Sequence, residues 1–169
     1  MNHIEIPLPK GYVALVDLAD AEAVQQHKWY AAAAGGRTIY AQRAVRREGG
    51  GWTTERLHQF LTGFPSTDHR NGDGLDNRRA NLRDATQGQN TFNQQRRIGA
   101  SGFKGATRWK RDGTWKAQIS CAGTNHHLGY FPTALEAVLA YDEAARHFHG
   151  EFATVNFPKP GERSARKAA

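Results

Sequence analysis

A chain of 169 residues holds one or two small domains, and a 38% hydrophobic content does not require one core over its whole length. No apolar run reaches membrane-spanning length and the N-terminus carries no secretory apolar core, so the expected class is a soluble, intracellular and cytoplasmic protein without a membrane partner. The single cysteine, Cys121, excludes an intramolecular disulfide and a Cys-x-x-Cys zinc knuckle. The net charge of +7 is unevenly placed: +1 over residues 1–57, 0 over 58–93 and +6 over 94–169, so the basic excess in the C-terminal part points to a polyanionic partner.

The first residues contain short apolar runs around Pro7, Pro9 and Gly11. Tyr12-Val13-Ala14-Leu15-Val16 predicts a strand. Asp20 predicts the cap of a short helix running to about His27, with Glu22 in its first turn. Lys28 to Ala31 and Arg37 to Ala41 predict two strands around Gly35-Gly36, with Trp29, Tyr30 and Tyr40 in the core. Arg43, Arg46 and Arg47 are either phosphate contacts or a solvated strand face. Gly49 to Gly51 predict a turn, and Trp52 to Leu61 a strand.

The stretch from Asp68 to Asn93 carries the chemistry. It opens with Asp68-His69, bends through Asn71-Gly72-Asp73-Gly74, and continues to Asn81-Leu82-Arg83 and Asn90. Carboxylate, imidazole and amide oxygens are what a hard divalent cation and a general base need. Gly72 and Gly74 are expected to supply positive φ in the loop, and Asn81 to Gln89 to form a helix. If Asp68 and His69 share a strand, their side chains leave it on opposite faces.

This order of residues resembles the HNH nuclease family over roughly Leu57 to Asn93. The resemblance implies a metal finger of two short strands and a helix that cleaves DNA phosphodiesters, leaving 5′-phosphate and 3′-hydroxyl ends. It implies that Asp68 and Asn90 ligate one divalent ion, Mg²⁺ or else Mn²⁺. His69 would be the general base, and Asn81 would hold the loop that orients it. Gln59 replaces the usual arginine of a His-Arg-Leu run, which puts a phosphate contact there in doubt, and His58 is expected to be packed rather than catalytic.

Gln94 to Gly102 predict a pliable linker, with Arg96 and Arg97 placed to follow a DNA backbone. Beyond it, Phe103 to Arg111, Thr114 to Ala122 and Asn125 to Phe131 predict three strands, with a hairpin turn at Asp112-Gly113. Trp115, Ala117, Ile119 and Cys121 alternate with Lys116, Gln118 and Ser120, which separates a core face from a polar face. Thr133 to Glu136 is a capping box opening a helix that ends at Gly150.

Gly102-Phe103-Lys104-Gly105, His127-Leu128-Gly129-Tyr130-Phe131, Tyr141-Asp142-Glu143-Ala144-Ala145 and Asn156-Phe157-Pro158 make this module similar to the plant Apetala-two and ethylene-response-factor DNA-binding domain. The resemblance implies a three-stranded sheet in the major groove of double-stranded DNA. The positions it carries over are Lys104, Thr107, Trp109, Gln118, Ser120, Asn125 and His127. Apart from the resemblance, Arg108, Lys110 and Lys116 are expected to contact the DNA backbone. Thr107, Trp109 and Ser120 stand where the family has arginines, so its base preference does not transfer. His126, His127, His147 and His149 lack matched partners for zinc.

The expected fold class is therefore α+β. A β-rich leader and HNH finger occupy 1–93 (the finger about 57–93), a linker 94–102, a DNA-binding module 103–158 and a disordered tail 159–169. The expected function is a metal-dependent DNA endonuclease of homing or mobile-element type, in a bacterial or phage-infected cell and with no protein partner indicated. The alternatives are a non-catalytic DNA-binding regulator with a vestigial finger and a structural zinc module.

Overall fold

Ile4 and Ile6 face one way along the first strand, and this period-two pattern builds the first sheet. The computed structural model describes residues 2–33, 38–93 and 101–165. It is of α+β class, with small sheets and few helices divided between two units, Met1–Thr86 and Gln87–Ala169.

In the first unit β1 (His3–Pro7) pairs antiparallel with β2 (Val13–Asp17). The short helix α1 (Ala21–Gln25) follows, then a sheet of order β3-β4-β5 from Tyr30–Ala33, Ile39–Arg46 and Trp52–Arg56. Ile6, Val16, Val24, Trp29, Ala41 and Leu57 form the core, each large aliphatic group adding about 1.5–3 kcal/mol by leaving water. Trp29 donates its indole N–H to Val24 O at 2.9 Å. Tyr30, expected in the core, is 37% exposed because it pairs with Gln42 on the opposite sheet face from Ala41.

The strand expected through Leu61 stops at Arg56, and Leu57–Thr62 is a helix, α2. Gln59, the residue that departs from the family run, accepts from Arg56 N at the start of that helix. Gly63, at φ 69, ends it by donating to Gln59 O. Leu57 and Leu61, four apart, bury on one side, which a helix permits and an alternating strand also allows, so the caps decide.

The finger's strands are β6 (Thr67–His69) and β7 (Leu82–Asp84), antiparallel, with His69 opposite Leu82 and Asp68 opposite Arg83. The helix expected from Asn81 is displaced by this pairing and begins later, as α3 (Gln87–Asn93) in the second unit. Gly72 has the expected positive φ of 73°, but Gly74 does not. Gly74 is needed for space: a Cβ there would lie 2.6 Å from Tyr40 Cδ1 and against Ile39 O.

In the second unit β8 (Ala106–Arg108), β9 (Trp115–Cys121) and β10 (Thr124–Phe131) form an antiparallel sheet of order β10-β9-β8. The first of these is much shorter than expected. The helix α4 (Ala134–His149) opens with the capping box, Glu136 N donating to Thr133 Oγ1 at 3.3 Å and Thr133 N to Glu136 Oε2 at 3.1 Å. Its small residues Ala137 and Ala145 let Val138 and Tyr141 reach Ala106, Ala117 and Ile119.

Asp142 and Asn156 explain two of the motif residues. Buried Asp142 accepts from Asn156 N, Asn156 Nδ2 and Phe157 N at 2.8–2.9 Å, while Asn156 Oδ1 accepts from Lys104 N at 2.8 Å. The expectation of a disordered tail is corrected for 159–165. There β12 (Arg163–Ser164) pairs parallel with β11 (Thr154–Val155) and Ala165 is buried. Arg146 holds Glu162 at 2.7 and 2.9 Å, and this contact brings the Glu162 carboxyl down to about 2. The charged composition that reads as a solvated tail is here used as an ion pair.

Replacing Gly74 with Ala should lower the unfolding free energy by about 1–3 kcal/mol, the cost of inserting a methyl group into filled space. Urea denaturation checks this, and an unchanged midpoint would contradict the close packing of the loop on Tyr40.

Candidate functional site

The loop between β6 and β7 is held from both sides. On the leader side, Leu15 N donates to Leu75 O at 2.9 Å and Asn77 N to Leu15 O at 2.8 Å. Arg79 donates its backbone N–H to Asp17 and its guanidinium to Asp20, at 2.7–2.9 Å. Inside the loop the Asn81 side chain accepts from Asn71 N and donates to Asn71 Oδ1, both at 3.0 Å, and donates to Asp76 O at 2.7 Å. Burial alone would raise the Asp76 carboxyl, but two 2.7 Å bonds from Arg78 hold it below the usual carboxylate range.

His69 ends β6 and is 4% exposed. Its Nε2 lies 3.4 Å from Asn77 Oδ1. Asn77 is fully buried, and its Nδ2 donates to Leu75 O at 3.0 Å. That bond assigns the amide: the oxygen faces His69, so His69 Nε2 carries the proton and Nδ1 the lone pair. Burial lowers the His69 pKa against the opposing pull of Asn77 and of Asp68, Asp73 and Asp76, so the ring is neutral at pH 7. Asn77 is thus the side chain on the imidazole, whereas Asn81 closes the loop that carries Asn77. Sequence reasoning missed Asn77, although its neighbours Asp76 and Arg78 mark the same turn.

His58 packs edge-on against His69 with ring centroids 4.9 Å apart, and Tyr40 lies 5.7 Å from His69. The expectation that His58 is a packed residue agrees with its burial. Its Nδ1 has no hydrogen-bond partner among the described residues, and desolvation first, then the charges of His69 and Arg56, lower its pKa to about 3.

Asp68 and His69 leave β6 on opposite faces, since Asp68 is opposite Arg83 and His69 opposite Leu82. Arg83 Nε and Nη2 both donate to Asp68 Oδ2, at 2.9 and 2.7 Å, in a buried ion pair. The pair fixes a carboxylate whose oxygens are donors of the kind a hard cation takes. Asn90 lies on α3 in the second unit and supplies an amide oxygen of the same hardness. Carboxylate and carboxamide are each oxygen donors of the hard class that a divalent ion such as Mg²⁺ takes.

The sheet of the second unit places the other expected residues. Lys116, Gln118 and Ser120 leave β9 on the face away from α4; Thr107 pairs with Lys116, His127 with Gln118 and Asn125 with Ser120. Ser120 Oγ donates to Asn125 Oδ1. Trp109 packs against Lys116 Nζ at 5.9 Å and Tyr130 at 5.6 Å, and Lys110 is exposed nearby in the chain. Tyr130, not among the expected contacts, is 50% exposed on this face because a bulge between His127 and Gly129 shifts the alternation by one. Arg108, expected with Lys110 and Lys116 as a backbone contact, pairs with Trp115 and falls on the other face from Lys116. Lys104 precedes β8 with its backbone pinned by Asn156. Arg96 and Arg97 lie outside the described residues.

The fold holds His58 neutral while the unfolded chain protonates it near 6.5. Its contribution is present above that pH and is lost as pH falls toward about 3. Wild-type unfolding free energy should therefore fall with pH over this window, and His58→Phe should flatten the slope. Denaturation across a pH series checks it; an equal slope in both proteins would contradict the assignment.

No family model matches the chain. The chain is 30% identical over 156 residues to an uncharacterized HNH endonuclease of Acanthamoeba polyphaga mimivirus, covering 87% of this chain and 76% of the relative. It is 41% identical over 58 residues to an APETALA2-like protein of Oryza sativa subsp. indica, covering 34% of this chain and 13% of that protein. It is also 55% identical over 47 residues to a dehydration-responsive element-binding protein of the same plant, covering 27% and 17% respectively. Similarity over most of both chains, together with the Asp68-His69 finger, shows that the chain belongs to the HNH endonuclease family.

Proposed function

We propose that the chain is a metal-dependent endonuclease of homing or mobile-element type that hydrolyses double-stranded DNA. The observation that carries this reading is His69, a buried neutral imidazole with its tautomer assigned by Asn77, on the residue next to Asp68. His69 Nδ1 takes the proton of a water whose oxygen attacks phosphorus. The bond from phosphorus to the 3′-oxygen breaks and that oxygen takes a proton from solvent, leaving a 5′-phosphate and a 3′-hydroxyl. Asp68 and Asn90 would hold one divalent ion, Mg²⁺ or Mn²⁺, which neutralises phosphate charge and stabilises the leaving oxygen when bound. Arg83 fixes the Asp68 carboxylate, and Asn81 keeps the loop closed around Asn77.

The C-terminal sheet supplies affinity and address in this reading. Lys116 releases counterions from phosphate. Gln118, Asn125 and His127 offer donors and acceptors to base edges, and Gln pairs bidentately with adenine. Trp109 and Tyr130 add aromatic area to the same face. A non-catalytic DNA-binding regulator is the second reading; the ion pair between Arg83 and Asp68 favours it, because it already neutralises the carboxylate.

Incubation of the purified chain with duplex DNA, with and without Mg²⁺, separates the two readings. Cutting that needs the metal and falls about 10²–10⁴-fold in His69→Ala, with binding retained, supports the nuclease. Tight binding without cutting under any divalent ion supports the regulator. Because burial lowers the His69 pKa, the base form persists into acid, and the acid limb of the rate should lie below the ordinary value of 6.5. A limb at or above that value would contradict the buried-base assignment. Asp68→Ala and Asn90→Ala should each raise the Mg²⁺ concentration needed for half-maximal rate; unchanged metal dependence in both would remove the ligand pair.

A further inference from the structure

The three-stranded sheet of the first unit has one covered face and one open face. Ala41 and Ala31 pack on the core, and Arg43 on the same side lies over Trp29 and Phe60 and pairs with Glu55 at 2.7 Å. On the opposite side Tyr40 touches His69 and His58, and Gly74 of the catalytic loop lies against it. The open side therefore begins at the candidate active site. It continues outward through the cross-strand pairs Gln42–Arg56, Ala44–Thr54 and Arg46–Trp52.

Its chemistry changes along the way. Arg56 lies 5.0 Å over the Tyr40 ring, Ala44 and Thr54 are exposed, and Trp52 at the far end is 70% exposed, the largest exposure among the large apolar residues described. Arg46 is exposed beside it and makes no ion pair among the described residues. The paired positions carry two arginines and no carboxylate, whereas Glu55 is on the covered side. From Tyr40 to Arg46 a strand advances about 20 Å, at roughly 3.3 Å per residue. That matches about half a turn of duplex, whose full turn is about 34–36 Å.

We propose that this face is a second DNA-contact surface, which holds the duplex about half a turn from the scissile phosphate. Arg46 pairs with phosphate, and Trp52 packs its ring on the sugar and base edges that the groove exposes. A two-stranded β-ribbon is narrow enough to enter a major groove. The surface is continuous with His69 through Tyr40, so a duplex on it runs toward the cutting site. The inference rests on the endonuclease reading for the position of the scissile phosphate, and on charge and continuity for the occupant.

The test uses the full chain and a duplex selected by its binding from random-sequence DNA. Arg46→Ala should reduce the salt dependence of binding by about one phosphate contact, and Arg46→Lys should restore it. Trp52→Ala should weaken binding about tenfold at constant salt. In hydroxyl-radical footprints the Arg46→Ala/Trp52→Ala protein should lose one protected patch on the cleavage side and keep the rest. Both residues are exposed, so the variants should retain the wild-type melting temperature. Wild-type salt slope, affinity and footprint in the double variant would overturn the proposal, whether or not the protein cuts. Loss of the patch in a protein that cuts no DNA would retain the surface and sink the endonuclease reading.

Discussion

The buried carboxamide of Asn77 joins the leader to the chemistry. Its backbone N–H reaches β2 at Leu15, its Nδ2 fixes Leu75, and its Oδ1 meets His69. A fully buried amide left unpaired would cost about 1–3 kcal/mol, so each partner constrains the others. The β-rich leader thereby becomes part of the site. Without β2 and the turn after it the loop would lose the two backbone bonds at Leu15 and the Arg79 contacts to Asp17 and Asp20.

Buried charge is handled in the same way in both units. Asp68 is met by Arg83 and Asp76 by Arg78, while Asp142 is met by three N–H groups. Each carboxylate sits beside a backbone that must keep one shape, at β6, in the loop between β6 and β7 and where α4 meets Asn156. Removing a partner from such a group is far more damaging than the net worth of the pair, because the remaining charge stays buried.

Polar residues with local partners were the legible part of the sequence. Thr133 to Glu136, the loop from Asn71 to Asn81, and the alternation from Trp115 to Cys121 announce a cap, a turn and a half-buried strand through nearby atoms. Long-range contacts were not legible. Asn77 acts through Leu15, far away in the chain. Tyr130 moved to the outer sheet face through a bulge, and Gly74 is glycine because Tyr40 occupies the space. The switch from β5 to α2 depends on Gln59 and Gly63 as caps, which a count of apolar residues does not weigh. The order of acid, imidazole and amide pointed to the candidate site, since those residue types are packed into one short stretch.

The imidazole of His69 is the most direct point of measurement. Long-range proton–nitrogen NMR of the ¹⁵N-histidine-labelled chain at pH 7 reports which ring nitrogen holds the proton. The structure predicts a neutral His69 with the proton on Nε2, and a change in that signal when Asn77 is replaced by Ala. A neutral ring protonated on Nδ1, or a doubly protonated ring at pH 7, would contradict the account.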